Sequence, residues 1–310
     1  VKTIIEQMCL DAETIKEKMK EIVAHNICNT NLKMYLLKFI ASKDSFGFAE
    51  LAYQHYKAFN GRDTEAILKL AAGIELLVLS YDIYDDLEDN DNLKMEWMKT
   101  GLPITLNTVT ALYTLSIQVM NQVSENPDFL KQILNFALSS IEGQQDDILN
   151  APQTEEECLK MIKNKSGSLT AMPCVMGAML ATGKLNPVVK SYSYELGIIS
   201  QIDNDYQGLF YLNNDFVQRK NTLAYLYLKK RFNKASEEIL QWYENPELFK
   251  TLKTRDIKKK LIEAGVTQYL LVLKHLSLKK LKSKIFELEI ERNKTEALLN
   301  AIVNLEEDEK

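Results

Sequence analysis

The stretch "GIELLVLSYDIYDDLEDNDN" (Gly73–Asn92) runs an apolar helix straight into a block of acids. Ahead of Tyr81 nearly every position is apolar, the pattern of a helix buried on all sides. From there Asp82, Asp85, Asp86, Glu88, Asp89 and Asp91 follow within a few turns. Like charges so close repel unless a cation bridges them or water solvates them. Helical residues four apart are offset by about 40°, so Asp85 and Asp89 share a face, with Asp82 and Asp86 flanking them. Oxygen-only ligands on successive turns suit Mg²⁺, which keeps several waters and takes its remaining oxygens from a substrate phosphate. A solvated acidic helix end is the plain alternative. An EF-hand is excluded, because the stretch lacks the Gly and Glu that such a loop needs at its sixth and twelfth positions.

The remainder of the 310-residue chain has the composition of an all-α protein, with 26% charged residues and only 11 Gly and 6 Pro. Apolar residues recur at spacings of three and four. They predict helices near 11–25, 30–41, 45–59, 63–89, 104–124, 127–149, 154–182, 187–211, 221–231, 235–245, 255–275 and 278–305. Asp63 and Thr154 are expected N-caps. No repeat, low-complexity linker or charge shift divides the chain, so a single helical bundle domain over 1–310 is expected. A net charge of −5 supplies no basic field for nucleic acid. No run of eighteen apolar residues offers a membrane span, and no apolar run near the N-terminus reads as a secretion signal. Cys9, Cys28, Cys158 and Cys174 show no C-x-x-C spacing, and His25, His55 and His275 form no H-E-x-x-H, which argues against zinc. Reduced cysteines in helix packing and a cytoplasmic location are expected.

A second acidic cluster, "QIDNDYQG" (Gln201–Gly208), ends another apolar helix, and the two acidic segments could face each other across one bundle. Lys165 in "IKNKSGSL" and Lys220 in "RKNTL" each sit beside Ser or Thr, where a phosphate would want them, although either lysine alone is an ordinary surface residue. With these segments in view the chain resembles the trans-isoprenyl diphosphate synthases. "GIELLVLSYDIYDDLED" is similar to their first aspartate-rich helix, including Glu75 ten residues ahead of the first motif aspartate. "EGQQDDIL" (142–149) resembles G-Q-x-x-D-[LI], "IKNKSGSL" (162–169) resembles I-x-x-K-[ST]-G-x-L, and "QIDND" resembles F-Q-x-x-D-D. "RKNTLAY" resembles K-x-T-[LY], and "EAGVTQYLLVL" (263–273) resembles a Gly-x-x-x-Tyr helix. Each piece alone is weak; six in register along most of the chain are specific.

The resemblance implies an enzyme with Mg²⁺ at Asp85 and Asp89, supported by Asp86 and completed by Asp205. Asn204 stands where the usual first aspartate of the second motif falls, and Asp203 is the alternative to Asp205 as the metal ligand of that motif. It further implies that Lys165 and Lys220 hold an allylic isoprenyl diphosphate, with Gln144 and Gln201 also at the substrate. The helix ahead of the acids would line the isoprenoid tunnel. Tyr81 would form its floor, with Ser80 beside it and Leu77 one turn down; packing of Tyr81 between helices is the alternative. A homodimer is the family default.

The chain also departs from that family. The chain-elongating synthases carry Gly-Lys-Arg-x-Arg-Pro before the first motif and Arg-Arg-Gly after it, where they bind the diphosphate of a second substrate. Here "IASKDSFGFAEL" (40–51) and "NDNLKMEWMK" (90–99) replace those segments, and Lys94 is a point charge without the guanidinium fork. An intact donor site without a second anion site points to an acceptor that is not a diphosphate. These departures, with "DSFGFAEL" (44–51), resemble the ComQ family of tryptophan prenyltransferases. That resemblance implies transfer of a C10 or C15 isoprenyl group to a tryptophan of a small pheromone precursor peptide, in quorum sensing and competence. Indole carbon 3 would attack the allylic carbon, and the backbone nitrogen would close the ring. A short-chain isoprenyl diphosphate synthase and a class I terpene cyclase are the alternatives.

Overall fold

The computed structural model of the protein describes residues 10–209, 220–245, 247–248 and 251–308, with side chains up to residue 303. Cys9 and the end of the helix expected to reach 211 lie outside these residues. The described residues form helices and loops only, so the chain is all-α as its periodicity predicts. The helices are α1 (Ala12–Asn26), α2 (Thr30–Ala41), α3 (Gly47–Ala58), α4 (Thr64–Asp89), α5 (Glu96–Lys99), α6 (Leu102–Asn121), α7 (Pro127–Ile148) and α8 (Glu155–Ile162). A π-helical turn, Lys163–Gly167, leads into α9 (Ser168–Thr182) and α10 (Pro187–Gly208). Beyond it come α11 (Leu223–Lys229), α12 (Lys234–Glu244), α13 (Thr254–Ala264), α14 (Val266–Ile285) and α15 (Arg292–Asp308).

Backbone contacts gather the chain into two compact units. The first comprises Val1–Phe136, Thr170–Ser191 and Lys284–Lys310; the second comprises Ala137–Leu169 and Tyr192–Ser283. In the first unit α4 is the central element. Asp63 starts it by accepting from the Ala66 amide at 2.9 Å. Ile67, Leu70, Ile74, Leu76 and Leu77 are fully buried along it. It packs on α6, α3 and α1. Gly73 permits the approach of α6, because a Cβ there would lie 2.6 Å from the Met120 side chain. Asn90, in the left-handed region at φ 52°, ends α4 and returns its amide to the Asp86 carbonyl.

The second unit is built around Ile198, Ile202, Leu223, Leu226, Leu261 and Leu270. Thr154 opens α8 through a reciprocal capping box with Glu157.

Three features differ from the sequence expectation. The helix predicted over 154–182 is interrupted by the π-turn. The helix predicted over 255–275 instead ends at Ala264, because Gly265 adopts φ 83° and its amide caps the Ile262 carbonyl. With no breaker between 275 and 278, α14 then runs on to Ile285. The short α5 carries too few residues for any period to show. Cys158 and Cys174 are buried as expected, whereas Cys28 is exposed in the turn after α1. Among the described residues, no helix is long and apolar enough to cross a membrane.

Candidate active site

In the first unit the acid block forms the last turns of α4. Asp85 and Asp89 are both half-buried and sit one turn apart on one face. Asp86, next in sequence to Asp85, turns elsewhere. It is 6% exposed, and its two oxygens accept from Asn92 Nδ2 and Trp97 Nε1, each at 2.6 Å. Trp97 in turn stands edge-on to Phe39, with ring centroids 5.9 Å apart. Asp86 therefore ties the chain beyond α4 to the core of its unit. Burial raises its carboxyl above the ordinary range, opposed by the two hydrogen bonds.

Asp82 lies one turn before Asp85. Its Oδ2 is 3.7 Å from Lys43 Nζ, which also stands 3.2 Å from Glu75 Oε2. Glu75 is fully buried and accepts from the Ala49 amide at the start of α3 at 2.6 Å. Lys43 is itself buried, its carbonyl accepts from Lys16 Nζ at 3.0 Å, and its ammonium lies 5.8 Å from the Phe46 ring centre. One cation thus serves two carboxylates. The protein packed around Asp82 pushes its carboxyl up to about 6; Lys43 opposes this, and Glu75, Asp85 and Asp86 reinforce it. The Asp82 side chain nevertheless keeps 51% of its surface open to solvent.

Of the positions expected along the tunnel, Leu77 and Ser80 are fully buried, and Ser80 Oγ donates to the Leu77 carbonyl at 2.6 Å. Tyr81 is half-buried, with its ring centre 6.3 Å from that of Tyr113 on α6. Burial raises its phenol, followed by the nearby Tyr113 and Tyr84.

In the second unit the structure brings Lys165 and Lys220 together on one acceptor that the sequence reading did not single out. Asp147 Oδ2 accepts from Lys165 Nζ at 2.8 Å and from Lys220 Nζ at 3.3 Å. Burial pushes the Asp147 carboxyl up, but the two ammonium groups outweigh it and hold the carboxyl below the usual range. The π-turn positions Lys165, and turns of this kind recur at functional sites. Two glycines let the neighbouring helices close on it. A Cβ at Gly143 of α7 would lie 2.3 Å from the Lys165 amide, and one at Gly197 of α10 would lie 2.5 Å from the Ser166 carbonyl. Ser140 Oγ donates to the Lys165 carbonyl at 3.0 Å. The motif "GQQDD" already contained this signal, since its Gly marks a close approach and its second Asp is the lysine partner.

The second acidic segment is sorted by its partners. Ser166 Oγ donates to Gln201 Oε1 at 2.8 Å, and Gln201 Nε2 donates to Asp205 Oδ1 at 3.0 Å. Asp203 instead forms an ion pair with Lys274 of α14. Asn204 is exposed, and Gln144 is half-buried on α7.

The acid face of α4 offers carboxylate oxygens alone. Among the described residues no three His, Cys, Asp or Glu side chains gather into a cage that could hold an ion by themselves. Such a donor set fits a hard divalent cation completed by water and phosphate oxygens, and it does not fit a closed zinc site.

The polyprenyl synthetase family profile matches residues 48–261. The tryptophan prenyltransferase ComQ of Bacillus subtilis subsp. natto (strain BEST195) is 47% identical over 297 residues, covering 96% of this chain and 94% of the relative. Among solved structures, a geranylgeranyl pyrophosphate synthase matches with a TM-score of 0.82 at 18% identity, covering 98% of each chain. The polyprenyl synthase from Caulobacter crescentus CB15, in complex with calcium and isoprenyl diphosphate, matches with a TM-score of 0.77 at 17% identity over 97% of each chain. The chain belongs to the polyprenyl synthetase family and, within it, to the ComQ-like isoprenyl transferases.

Proposed function

We propose that this member of the polyprenyl synthetase family moves an allylic isoprenyl group of ten or fifteen carbons from its diphosphate to the tryptophan of a small precursor peptide, as a step in pheromone maturation for quorum sensing and competence. The observation that carries this reading is the 47% identity to a tryptophan prenyltransferase across 96% of the chain. On this reading residues 1–310 work as one isoprenoid-synthase-like domain.

The residues of the site support it. Lys165 and Lys220 converge within 3.3 Å of one carboxylate oxygen, so they are already spaced to share an anion. A diphosphate oxygen would compete with Asp147 for them. Two ammonium groups aimed at one point draw charge from the leaving diphosphate as its C–O bond breaks. Asp85 and Asp89 would hold Mg²⁺, which supplies further neutralisation of the diphosphate when bound; Asp205 and Asn204 are the candidate oxygen donors of the second motif. The ion pair to Lys274 occupies Asp203, which favours Asp205 as the carboxylate of that motif. Ser166 and Gln201 hold Asp205 in place. Tyr81, with Ser80 and Leu77 behind it, would shield the allylic carbon chain from water. The acceptor indole is neutral and electron-rich, and the absence of the arginine pair around the first motif suits such a nucleophile.

The test is mass spectrometry of a tryptophan-containing precursor peptide incubated with the protein, Mg²⁺ and donors of ten and fifteen carbons. The expected product carries one isoprenyl mass on tryptophan. An unmodified peptide alongside a lengthened diphosphate, formed when isopentenyl diphosphate is also present, would return the chain to the elongating synthases.

A further inference from the structure

The reaction proposed above must dispose of a proton, and the acids that would hold metal are poor candidates to receive it, because a carboxylate bound to a cation is a weak base. The first unit offers a different one. Asp82 shares the α4 face with Asp85 and Asp89, which follow it by three and seven residues. Its side chain is the most open of the Lys43–Glu75–Asp82 cluster, at 51% exposure against 8% for Lys43 and none for Glu75. Lys43 is anchored below by the buried Glu75, so its ammonium holds Asp82 Oδ2 from one side and leaves the rest of the carboxylate open.

We propose that Asp82 is the base that takes the proton from the acceptor, with Lys43 as its positioning residue. This rests on the tryptophan-transfer reading. Indole carbon 3 forms a bond to the allylic carbon as the C–O bond to diphosphate breaks, and diphosphate leaves with that electron pair. The electron-poor carbon 2 is then closed by the backbone nitrogen of the same tryptophan, whose N–H proton passes to the Asp82 carboxylate. No oxidant or reductant is consumed.

The environment suits the task. A base works best when its pKa lies just below the working pH. The protein around Asp82, with Glu75, Asp85 and Asp86 on its own helix, lifts its carboxyl to about 6, and Lys43, from the segment between α2 and α3, keeps it from rising further. Asp86 cannot serve in its place, because Asn92 and Trp97 occupy both its oxygens. Glu75 cannot serve either, being sealed from solvent.

The experiment compares two rates in the full-length protein: isoprenyl transfer to a tryptophan peptide, and peptide-free release of diphosphate from the donor. Wild-type transfer should rise with pH through about 6 and then level. Asp82→Asn should lower transfer by about 10²-fold or more and abolish that rise, while peptide-free release falls at least tenfold less. Asp82→Glu should restore part of the rate. Lys43→Arg should keep the rise, because the positioning charge remains. The proposal is overturned if Asp82→Asn keeps the rate and the pH profile, or if transfer and peptide-free release fall together, which would place Asp82 on the donor side. A wild-type protein that releases diphosphate yet never modifies peptide sinks the parent reading instead, a result distinct from any of these.

Discussion

Lys43 serves two carboxylates, and Asp147 serves two lysines. The two clusters, one in each unit, are inversions of each other. In the first, a single ammonium is shared between Glu75 and Asp82, so the three groups carry an excess of negative charge. In the second, the Asp147 carboxylate is shared between Lys165 and Lys220, so among these three groups the excess is positive. The difference teaches which ligand each cluster can accept. The acid-rich end of α4 can take a cation or a proton, whereas the lysine pair can take an anion. A polar cluster balanced within itself would attract neither.

The contrast is broken most severely at the acid face. Asp85→Ala and Asp89→Ala are each expected to lower peptide prenylation by about 10³-fold, the scale seen when a group that stabilises developing charge is removed. The fold should persist, because removing one of several like charges relieves repulsion. Turnover measured beside a thermal melt checks both halves, and unchanged turnover in both variants would remove these residues from the site.

Stability is the next test, since the two clusters should differ when one lysine is lost. Lys43→Met strands the buried Glu75 without its cation, a loss of about 3–5 kcal/mol. Lys165→Met leaves Asp147 with Lys220 still in place, so the cost should be smaller, about 1.5–3 kcal/mol, the range of one hydrogen bond to a charged group. Urea titrations of the two variants read this directly. Equal losses would show that the inversion has no energetic meaning.

The smallest effect is the pH dependence of stability, and its sign differs between the clusters. Asp147 has a lowered carboxyl, so its contribution is present above the ordinary carboxylate value of 3.8 and is lost as pH falls through its lowered folded value. Asp82 has a raised one, so its contribution is present below 3.8 and is lost as pH rises through about 6. Asp147→Asn should therefore be less stable than wild type at neutral pH and approach it in acid. Asp82→Asn should gain on wild type as pH rises from about 4 to about 6. Chemical denaturation from about pH 2, below the lowered value of Asp147, to about pH 7 checks both, and parallel profiles for the two variants would contradict the assigned shifts.

The amino-acid sequence by itself determined what depends on near neighbours along the chain. It set the all-α class, because apolar spacing of three and four is local. It set the start of α4 at Asp63 and of α8 at Thr154, because a cap reaches only three residues. It also placed Asp85 and Asp89 on one face, because four residues make nearly one turn. The tertiary structure alone decided which charges meet. Asp147 lies 18 residues from Lys165 and 73 from Lys220, and no period in the chain links them. The same holds for Lys43 with Glu75 and for Lys274 with Asp203. Asp86, identical to Asp85 in type and adjacent in sequence, was set apart from it by the positions of Asn92 and Trp97. A helix assigns each side chain a direction, but the free energy of a carboxylate depends on what waits in that direction, and that is supplied by another part of the chain once the core has packed.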